Sequence, residues 1–338
     1  MSELSTFLIF LLAGTTIVLA STRIVRYGET VAKTTRLGQF WVGALMVATV
    51  TSLPELATDV SAVLIDAPNL AAGDLFGSSL ANMLILAMLS IVFFDLWKGY
   101  EISSTEWSAW ILALIVTAES AFFILVDVGP RLGAVGIGSL FIVITYLVGT
   151  HLSFRNKNIQ TKKPKETDTK LNDTGLTFEI PAINQTLLLF TVWAAVILIT
   201  APILAHTGAS LATITGLGDT LFGVITLAIL TSLPELASSF TAFRKGMPSM
   251  ALGNLIGSNG INMLIIVAVD IALTDGPFLQ TISQIHALGA IAAILMMIIT
   301  IYGVLLLTRS HVKLGKTLLT TAILFYIMSV SLIGIQTT

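Results

Sequence analysis

The sequence predicts an all-α polytopic membrane protein in which ten transmembrane helices form two inverted five-helix repeats. Of its 338 residues, 55% are hydrophobic and 11% are charged, whereas charged residues make up about 25% of a typical soluble domain. The hexapeptide Thr-Ser-Leu-Pro-Glu-Leu occurs at 51–56 and again, unchanged, at 231–236. Basic residues concentrate in every second interval between the apolar segments, as expected for cytoplasmic loops. Together these observations indicate a duplicated membrane protein.

Ten apolar segments have the length of about 17–25 residues that a membrane-spanning helix requires. They lie at 5–21, 40–64, 71–94, 107–126, 132–153, 183–205, 219–243, 249–272, 284–307 and 317–336. The first segment follows Glu3 and precedes Arg23 and Arg26, which is the opposite charge order to a signal peptide. It is therefore expected to remain as a helix, with a basic amphipathic stretch at 22–39 after it.

The chain is expected to divide into two five-helix halves joined by a linker. The halves are residues 1–153 and 183–338, with repeated segments at about 40–90 and 220–270, and the linker is 154–182. The linker is rich in Lys, Thr, Asn and Asp and has almost no large apolar residues. This composition is typical of a flexible tether rather than of a folded domain.

The duplication extends well beyond the hexapeptide. Residues 43–84 align with residues 223–264 at a constant offset of 180, without a gap, and 19 of the 42 positions are identical. Internal repeats of this kind are the sequence mark of many transporter folds.

The basic residues predict the orientation of the helices. If the N-terminus lies outside, cytoplasmic segments hold 16 of the 17 Lys and Arg residues, and Arg131 alone falls outside. The two hexapeptide helices are the second and the seventh, so an odd number of spans separates them. The repeats are therefore inverted, and inverted repeats with broken helices near the midplane are typical of carriers that work by alternating access.

Each hexapeptide places a glutamate, Glu55 or Glu235, within apolar sequence. A carboxylate in a membrane helix costs about 2.5–3.5 kcal/mol on insertion scales, so such groups face a bundle interior or a hydrated cavity and are candidates for function. The preceding proline lacks an N–H and leaves the carbonyl of Val50 or Leu230 without its helical partner. Broken backbone at membrane depth is found where it lines a buried or hydrated site.

The chemistry of these turns favours a cation. Carboxylate, hydroxyl and carbonyl groups form an all-oxygen set, and oxygen ligands suit hard cations such as Ca²⁺. A single copy could equally be a proline kink with a glutamate hydrogen-bonded for packing. Two identical copies within a long repeat favour the functional interpretation.

The repeated pattern resembles the alpha repeats of the cation/Ca²⁺ exchanger superfamily. It reads Gly-x4-Ala-x2-Thr-Ser-Leu-Pro-Glu-Leu and then Gly-x3-Gly-Ser-x3-Asn, once in each half. The nearest branch is that of the prokaryotic sodium/calcium exchangers. The resemblance implies ten helices with ions bound between helices two, three, seven and eight. An integral protein of a prokaryotic plasma membrane is therefore expected, and the distribution of basic residues predicts that both termini lie outside and that the linker 154–182 is cytoplasmic.

The resemblance further implies which residues bind the ions. Glu55 and Glu235 are the implied acidic ligands. The implied hydroxyl ligands are Thr51, Ser52, Thr231, Ser232, Ser78 and Ser258. Ala48 and Ala228 match positions whose backbone carbonyls bind Na⁺, and Asn82 and Asn262 match an amide or acid position of helices three and eight.

The chain departs from the family pattern at several positions. Val50 and Leu230 stand where the family often has glycine, and Asn262 stands where some prokaryotic relatives carry aspartate. Asp74 replaces an asparagine that the second half keeps as Asn254. Asp59, four residues after Glu55, shares its helix face. Asp59 and Asp74 therefore either touch the ion path or serve as caps and vestibule groups. Glu119 is expected to face a bundle interior or lipid headgroups.

The function predicted from the sequence is secondary antiport of Na⁺ and Ca²⁺, with electrogenic Ca²⁺ export. The alternative is coupling to H⁺, or another divalent cation, on the same scaffold. The proton-coupled branch usually shows Gly-Asn-x-x-Glu where this chain has Thr-Ser-Leu-Pro-Glu, which favours Na⁺. A third alternative is a membrane-embedded enzyme or a channel. The sequence has no His-Glu-x-x-His or Gly-x-Ser-x-Gly motif and no cysteine, which disfavours an enzyme, and the inverted repeats favour a carrier over a channel. The net charge of −2 suggests no nucleic-acid partner. No cofactor and no obligatory protein partner are predicted, and the lipid bilayer is the expected surrounding.

Overall fold

The computed structural model describes residues 2–33, 38–126, 131–160 and 183–337. The long helices are α1 (Glu3–Lys33), α2 (Gln39–Leu64), α3 (Pro68–Val92), α4 (Ser104–Leu125), α5 (Ile137–Gln160), α6 (Ile183–Thr215), α7 (Gly218–Thr231 and Leu233–Arg244), α8 (Pro248–Ala272), α9 (Ile285–Thr308) and α10 (Val312–Thr337). A two-residue hairpin pairs β1 (Arg131–Leu132) with β2 (Val135–Gly136) before α5. Short helices at Phe94–Trp97 and Phe278–Thr281 complete the described elements.

The ten predicted helices are all present in the described part of the chain. Nine are long and apolar enough to cross a membrane as single helices, and the bent α7 makes the tenth. Three helices end later than predicted: α1 continues to Lys33 in the basic stretch, α5 to Gln160 and α6 to Thr215. Two helices begin elsewhere than predicted: α10 begins earlier, at Val312, and α5 begins later, at Ile137, because the hairpin occupies the start of its predicted segment. The remainder of the predicted linker, 161–182, lies outside the described residues. The predicted fold class is confirmed.

The helices that carry the hexapeptides are broken at equivalent points. Each contains a π-helical segment, Val42–Val47 in α2 and Gly223–Leu227 in α7, which the sequence did not predict. Each is then interrupted at a serine with ψ near zero, Ser52 (6°) or Ser232 (2°). The two parts of α7 meet at an angle of 42°. π-helical insertions occur frequently at functional sites because they redirect the backbone groups of a helix.

The prolines explain where the second part of each broken helix begins. Pro54 and Pro234 lie in its first turn. At that position the missing N–H has no intrahelical acceptor in any case, and the fixed φ of proline suits the helix. The break therefore falls at the serine two residues before the proline, and the glutamate follows in the same first turn.

Close helix crossings relate the two halves by a pseudo-two-fold axis. A Cβ atom added to Gly43 of α2 would lie 2.2 Å from the Met250 carbonyl oxygen of α8, and one added to Gly223 of α7 would lie 2.6 Å from the Leu70 carbonyl oxygen of α3. Gly223 lies 180 positions after Gly43, and Leu70 lies 180 positions before Met250, so the second contact is the repeat equivalent of the first. Small residues allow membrane helices to approach this closely. The crossings bring α2 against α8 and α7 against α3 at the centre of the bundle.

Polar contacts at the two ends of the bundle agree with the predicted order of the spans. At one end, Ser249 in the first turn of α8 donates a 2.6 Å hydrogen bond to Glu106 at the start of α4. Burial, together with Glu106, raises the pKa of the nearby Tyr100. At the other end, the Arg131 guanidinium lies 3.7 Å from the Asp270 carboxylate at the end of α8. Each contact joins segments that the topology assigns to the same side of the membrane.

Candidate functional site

The predicted ligand residues all lie where α2, α3, α7 and α8 cross. We call them the central site: Ala48, Thr51, Ser52, Glu55, Ser78, Asn82, Ala228, Thr231, Ser232, Glu235, Ser258 and Asn262. Every one of them is at most 2% exposed. The site is therefore closed to both faces of the bundle in this conformation. A surface cavity of about 580 Å³ lies elsewhere, beside Asp219 and Gln284, and none of the central-site residues lines it.

The two glutamates occupy equivalent places in the broken helices. Glu55 and Glu235 lie in the first turn after the break, 1% and 0% exposed. The N-terminal end of a helix carries a partial positive charge, which favours a carboxylate there. Among the described residues, the Oε2 atom of each glutamate is buried without a hydrogen-bond partner. A buried carboxylate oxygen that accepts no hydrogen bond is unfavourable, and a bound cation would compensate its charge.

The threonine of each repeat is oriented by a residue of the other repeat. Thr231 Oγ1 donates a hydrogen bond to Asp74 Oδ1 at 3.0 Å, and Thr51 Oγ1 donates one to Asn254 Oδ1 at 3.4 Å. Each hydroxyl also approaches a backbone carbonyl of its own helix, that of Ala228 at 3.3 Å or that of Ala48 at 3.2 Å. The single proton of each hydroxyl can be donated to only one of these acceptors, and donation to the residue of the other repeat leaves the lone pairs of the threonine oxygen available to a cation.

Each glutamate lies close to hydroxyl groups of the opposite repeat or of a neighbouring helix. The Glu55 carboxyl is within hydrogen-bonding reach of Thr231, and that of Glu235 is within reach of Thr51. Ser258 of α8 donates to Glu235 Oε1 at 3.5 Å. On α3, Ser78 lies 3.3 Å from the Thr231 hydroxyl. The cross-repeat pairs draw the oxygen atoms of both halves toward one region.

The two asparagines of the central site differ in their surroundings. Asn82 Nδ2 donates to Asn259 Oδ1 at 2.9 Å, and Asn82 Oδ1 is buried without a donor among the described residues. Asn262 has no partner for either side-chain atom among the described residues, although it is 1% exposed. Asn259 Nδ2 in turn approaches the Ser79 carbonyl oxygen at 3.4 Å. The contact with Asn259 fixes the Asn82 amide with its oxygen free.

The site depends on neutral oxygen atoms as well as on carboxylates. Within the described ranges, no three His, Cys, Asp or Glu side chains converge closely enough to hold a metal ion by themselves. Ser52 and Ser232 add buried hydroxyls without partners in the same part of the chain. Carboxylate, amide, hydroxyl and carbonyl oxygens are the donors that Ca²⁺ takes, usually six to eight of them.

Sequence reasoning missed Asn259 and left Asp59 and Asp74 undecided. Asn259 stands 180 positions after Ser79, so the repeat alignment offers no shared residue there. Asp59 and Asp74 are both 0% exposed, and Asp74 contacts Thr231 directly. A difference between two otherwise similar repeats was the available signal for all three.

Glu119, the remaining acidic residue within a predicted helix, lies away from these groups. Its Oε1 accepts a 2.8 Å hydrogen bond from Thr145 of α5. Of the predicted ligands, none is displaced from the helix crossing, and Glu119 is not brought to it.

Comparison with known proteins gives consistent matches along the chain. The family described as sodium/calcium exchanger protein matches residues 5–155 and 185–333. The sodium/calcium exchanger MaX1 of Methanosarcina acetivorans is 28% identical over 289 residues, covering 78% of this chain and 81% of that protein. The inner membrane protein YrbG of Escherichia coli is 26% identical over 264 residues, covering 77% of each. These matches confirm the resemblance seen in the repeated motifs.

The fold is also that of a solved exchanger. A structure of the sodium-calcium exchanger NCX_Mj, soaked with Na⁺ and Sr²⁺, superposes with a TM-score of 0.60 and covers 98% of this chain and 99% of that one. The sequences are 20% identical. The likeness confirms the architecture of two repeats.

Proposed function

Since this chain belongs to the sodium/calcium exchanger protein family, we propose that it is a secondary antiporter that exchanges Na⁺ for Ca²⁺ across a membrane. The family is one of ion exchangers, so the chain is a transporter rather than an enzyme. The observation that carries the proposal is the central site itself. Glu55 and Glu235 bring unpartnered carboxylate oxygens to a buried crossing of inverted repeats, and each is within reach of a threonine of the other half.

The charge of the two glutamates suits Ca²⁺. When both are ionised they carry −2, which one Ca²⁺ neutralises. Asn82 and Asn262 contribute oxygen without charge. Because each buried charge is costly unless compensated, the empty and ionised site is disfavoured, and an ion must be bound for the broken helices to repack around it. This requirement is the physical basis of exchange rather than leak.

The same oxygen atoms can also bind Na⁺, with each ion taking a smaller set of them than Ca²⁺ does. The Thr51 and Thr231 hydroxyls donate to acceptors on the opposite half, which leaves their lone pairs for a metal ion. Ser52, Ser232, Ser78 and Ser258 are proposed to complete the hydroxyl set, with backbone oxygens of Ala48 and Ala228. Those two carbonyls already accept the serine N–H at the helix breaks, at 2.9 Å and 3.1 Å, and each keeps a second lone pair.

Alternating access follows from the inverted repeats. Each broken helix crosses a partner from the other half at glycine contacts, so the two halves can present the closed site to opposite sides by related movements. The chain is an integral membrane protein. We place it in a plasma membrane with both termini outside and the linker 154–182 in the cytoplasm, on the strength of the positive-inside bias.

The competing hypothesis is an H⁺/Ca²⁺ antiporter, or a carrier of another divalent cation, on the same scaffold. It predicts that the glutamates exchange protons and that the hydroxyl pairs are structural. Ca²⁺ uptake into proteoliposomes under separately imposed Na⁺ and pH gradients distinguishes the two. Uptake driven by an outward Na⁺ gradient at constant pH supports the proposal, and uptake driven by the pH gradient alone overturns it.

A further inference from the structure

Asp59 of α2 and Asp74 of α3 form a buried pair beside the central site. Both are 0% exposed, and their carboxyl groups face each other within hydrogen-bonding reach. Within the part of the chain that the structure describes, neither oxygen of Asp59 has a donor, and Asp74 Oδ2 has none. Only Asp74 Oδ1 is satisfied, by Thr231 at 3.0 Å and Ser78 at 3.5 Å. We call these two residues the carboxylate pair.

The second repeat has neutral side chains at the positions equivalent to the carboxylate pair. The positions equivalent to Asp59 and Asp74, at the offset of 180, are Ser239 and Asn254. Asn254 Nδ2 donates to Ser239 Oγ at 3.0 Å and to Ser238 Oγ at 2.8 Å. The amide therefore supplies the donor that the acceptors around it need. In the first repeat Asp74 replaces this asparagine, so a carboxylate oxygen stands where the amide N–H would be, and two hydrogen-bond acceptors face each other.

No basic side chain is available to balance the carboxylate pair from its own helices. Residues 39–64 and 68–92, which form α2 and α3, contain no Lys, Arg or His, and neither do residues 248–272 of α8. On α7 the first basic residue is Arg244, at its end. Glu55 and Glu235 add to the negative potential rather than reduce it. Two carboxylates that face each other in a buried site, with no basic side chain on these four helices beyond Arg244, repel each other unless a cation or a proton is bound between them.

We propose that the carboxylate pair holds a Na⁺ ion of its own, in a site distinct from the central site and absent from the second repeat. The pair supplies three oxygens without a hydrogen-bond donor among the described residues, fewer than the six to eight that Ca²⁺ prefers, which favours Na⁺. One Na⁺ neutralises one of the two negative charges, and the hydrogen bonds that Asp74 Oδ1 accepts from Thr231 and Ser78 stabilise the other. This ion stays bound while ions exchange at the central site. It holds Asp74 in the position from which its Oδ1 accepts from Thr231 and Ser78.

The inference goes beyond the proposed exchange and can be tested without transport. In a Glu55→Gln/Glu235→Gln background the glutamates of the central site are neutral, while the carboxylate pair is intact. The measurement is the Tm of purified protein in detergent at constant pH and ionic strength, with Na⁺ replacing N-methyl-D-glucamine. The expected result is a rise in Tm with Na⁺ that saturates.

The matched variant adds Asp59→Ser and Asp74→Asn, which gives the first repeat the residues that the second repeat already accommodates. We expect the Na⁺-dependent rise in Tm to be lost in this variant. Should it fail to fold, Asp59→Asn alone keeps the side-chain volume and is expected to weaken the response. An equal Na⁺ response with and without the pair overturns the inference. The same Na⁺ titration repeated at several fixed pH values gives a second test, because a Tm that changes with pH and does not respond to Na⁺ would mean that a shared proton replaces the ion.

These outcomes are independent of the proposed function. If the wild-type protein shows no Na⁺-driven Ca²⁺ uptake, the exchange proposal is overturned, and the Tm result still tests the Na⁺ site of the carboxylate pair. Conversely, a wild-type exchanger whose Tm response does not require the carboxylate pair would retain the proposed function and lose the second site.

Discussion

Thr231 on α7 donates a 3.0 Å hydrogen bond to Asp74 Oδ1 on α3, 157 positions earlier in the chain. Its repeat-related partner, Thr51, makes the equivalent contact with Asn254 at 3.4 Å. The hydroxyl of each half is therefore held by an acceptor of the other half. One acceptor is a carboxylate and the other is an amide, so the two sides of the site are related in geometry but not in charge.

The first prediction concerns the two glutamates. Glu55→Gln and Glu235→Gln should each abolish Ca²⁺ exchange in proteoliposomes while the protein still folds, because a site with one negative charge cannot balance Ca²⁺. Glu119→Gln is the control, since this half-buried carboxylate bonds to Thr145 away from the site. Near-normal Ca²⁺ flux in either glutamine variant would show that the central assignment is wrong.

The second prediction concerns Asn259, whose Oδ1 accepts from Asn82 Nδ2 at 2.9 Å. Asn259→Ser introduces the residue found at the equivalent position, Ser79, and removes that acceptor. A lost hydrogen bond of about 0.5–1.5 kcal/mol should raise the KM for Ca²⁺ up to about tenfold, with a smaller change in the maximal rate. Asn259→Asp keeps an acceptor for Asn82 and should recover part of the affinity. A KM unchanged in Asn259→Ser would mean that Asn82 needs no such support.

The third prediction concerns the helix crossings. A Cβ atom on Gly257 would lie 2.4 Å from the Ala44 carbonyl oxygen, so Gly257→Ala should force α8 and α2 apart and lower Tm. Gly208→Ala is the matched control, because its Cβ would meet only side-chain atoms at 3.6 Å or more. Alanine is favoured over glycine in a helix by about 1 kcal/mol, so the control should be neutral or stabilising. Equal Tm values for both variants would contradict the close crossing.

The fourth prediction concerns orientation. The native chain has no cysteine, so single cysteines can be labelled without interference. A cysteine at Thr167, in the predicted linker, should react with an impermeant thiol reagent from the cytoplasmic side alone. One at Asp275, between α8 and α9, should react from outside alone. The reverse pattern would invert the assigned topology.

The fifth prediction concerns coupling. Three Na⁺ at the central site leave +1 where one Ca²⁺ leaves zero, so one net charge should move in each cycle. A membrane potential of 100 mV contributes about 2.3 kcal/mol for that charge. A K⁺ potential clamped with valinomycin should therefore shift the equilibrium Ca²⁺ gradient. Exchange of two H⁺ at Glu55 and Glu235 would be electroneutral. The equilibrium Ca²⁺ gradient would then be independent of the clamped potential and would change with the pH gradient.

Much of the fold could be predicted from the sequence because its signals are local. Apolar length predicts the ten spans, and the basic residues predict the side of the membrane on which each loop lies. The repeat at an offset of 180 identifies α2 and α7 as a related pair. The glutamates and their neighbouring hydroxyls are adjacent in the chain, so Glu55 and Glu235 could be proposed as ligands before any helix was packed. The ends of α1, α5 and α6 and the start of α10 were missed, because polar residues can continue a helix beyond the apolar segment.

The tertiary structure decided which groups meet and which charges are balanced. The π-helical segments lie where α2 and α7 pass close to α8 and α3, at Gly43 and Gly223, and hydropathy does not predict them. The contact of Asn82 with Asn259 spans 177 positions. Asp59 and Asp74 look like separate departures from a motif in the sequence, and packing turns them into a pair. Hydropathy and repeats describe positions along one chain, whereas hydrogen bonding and charge compensation depend on distances between helices, which only packing determines.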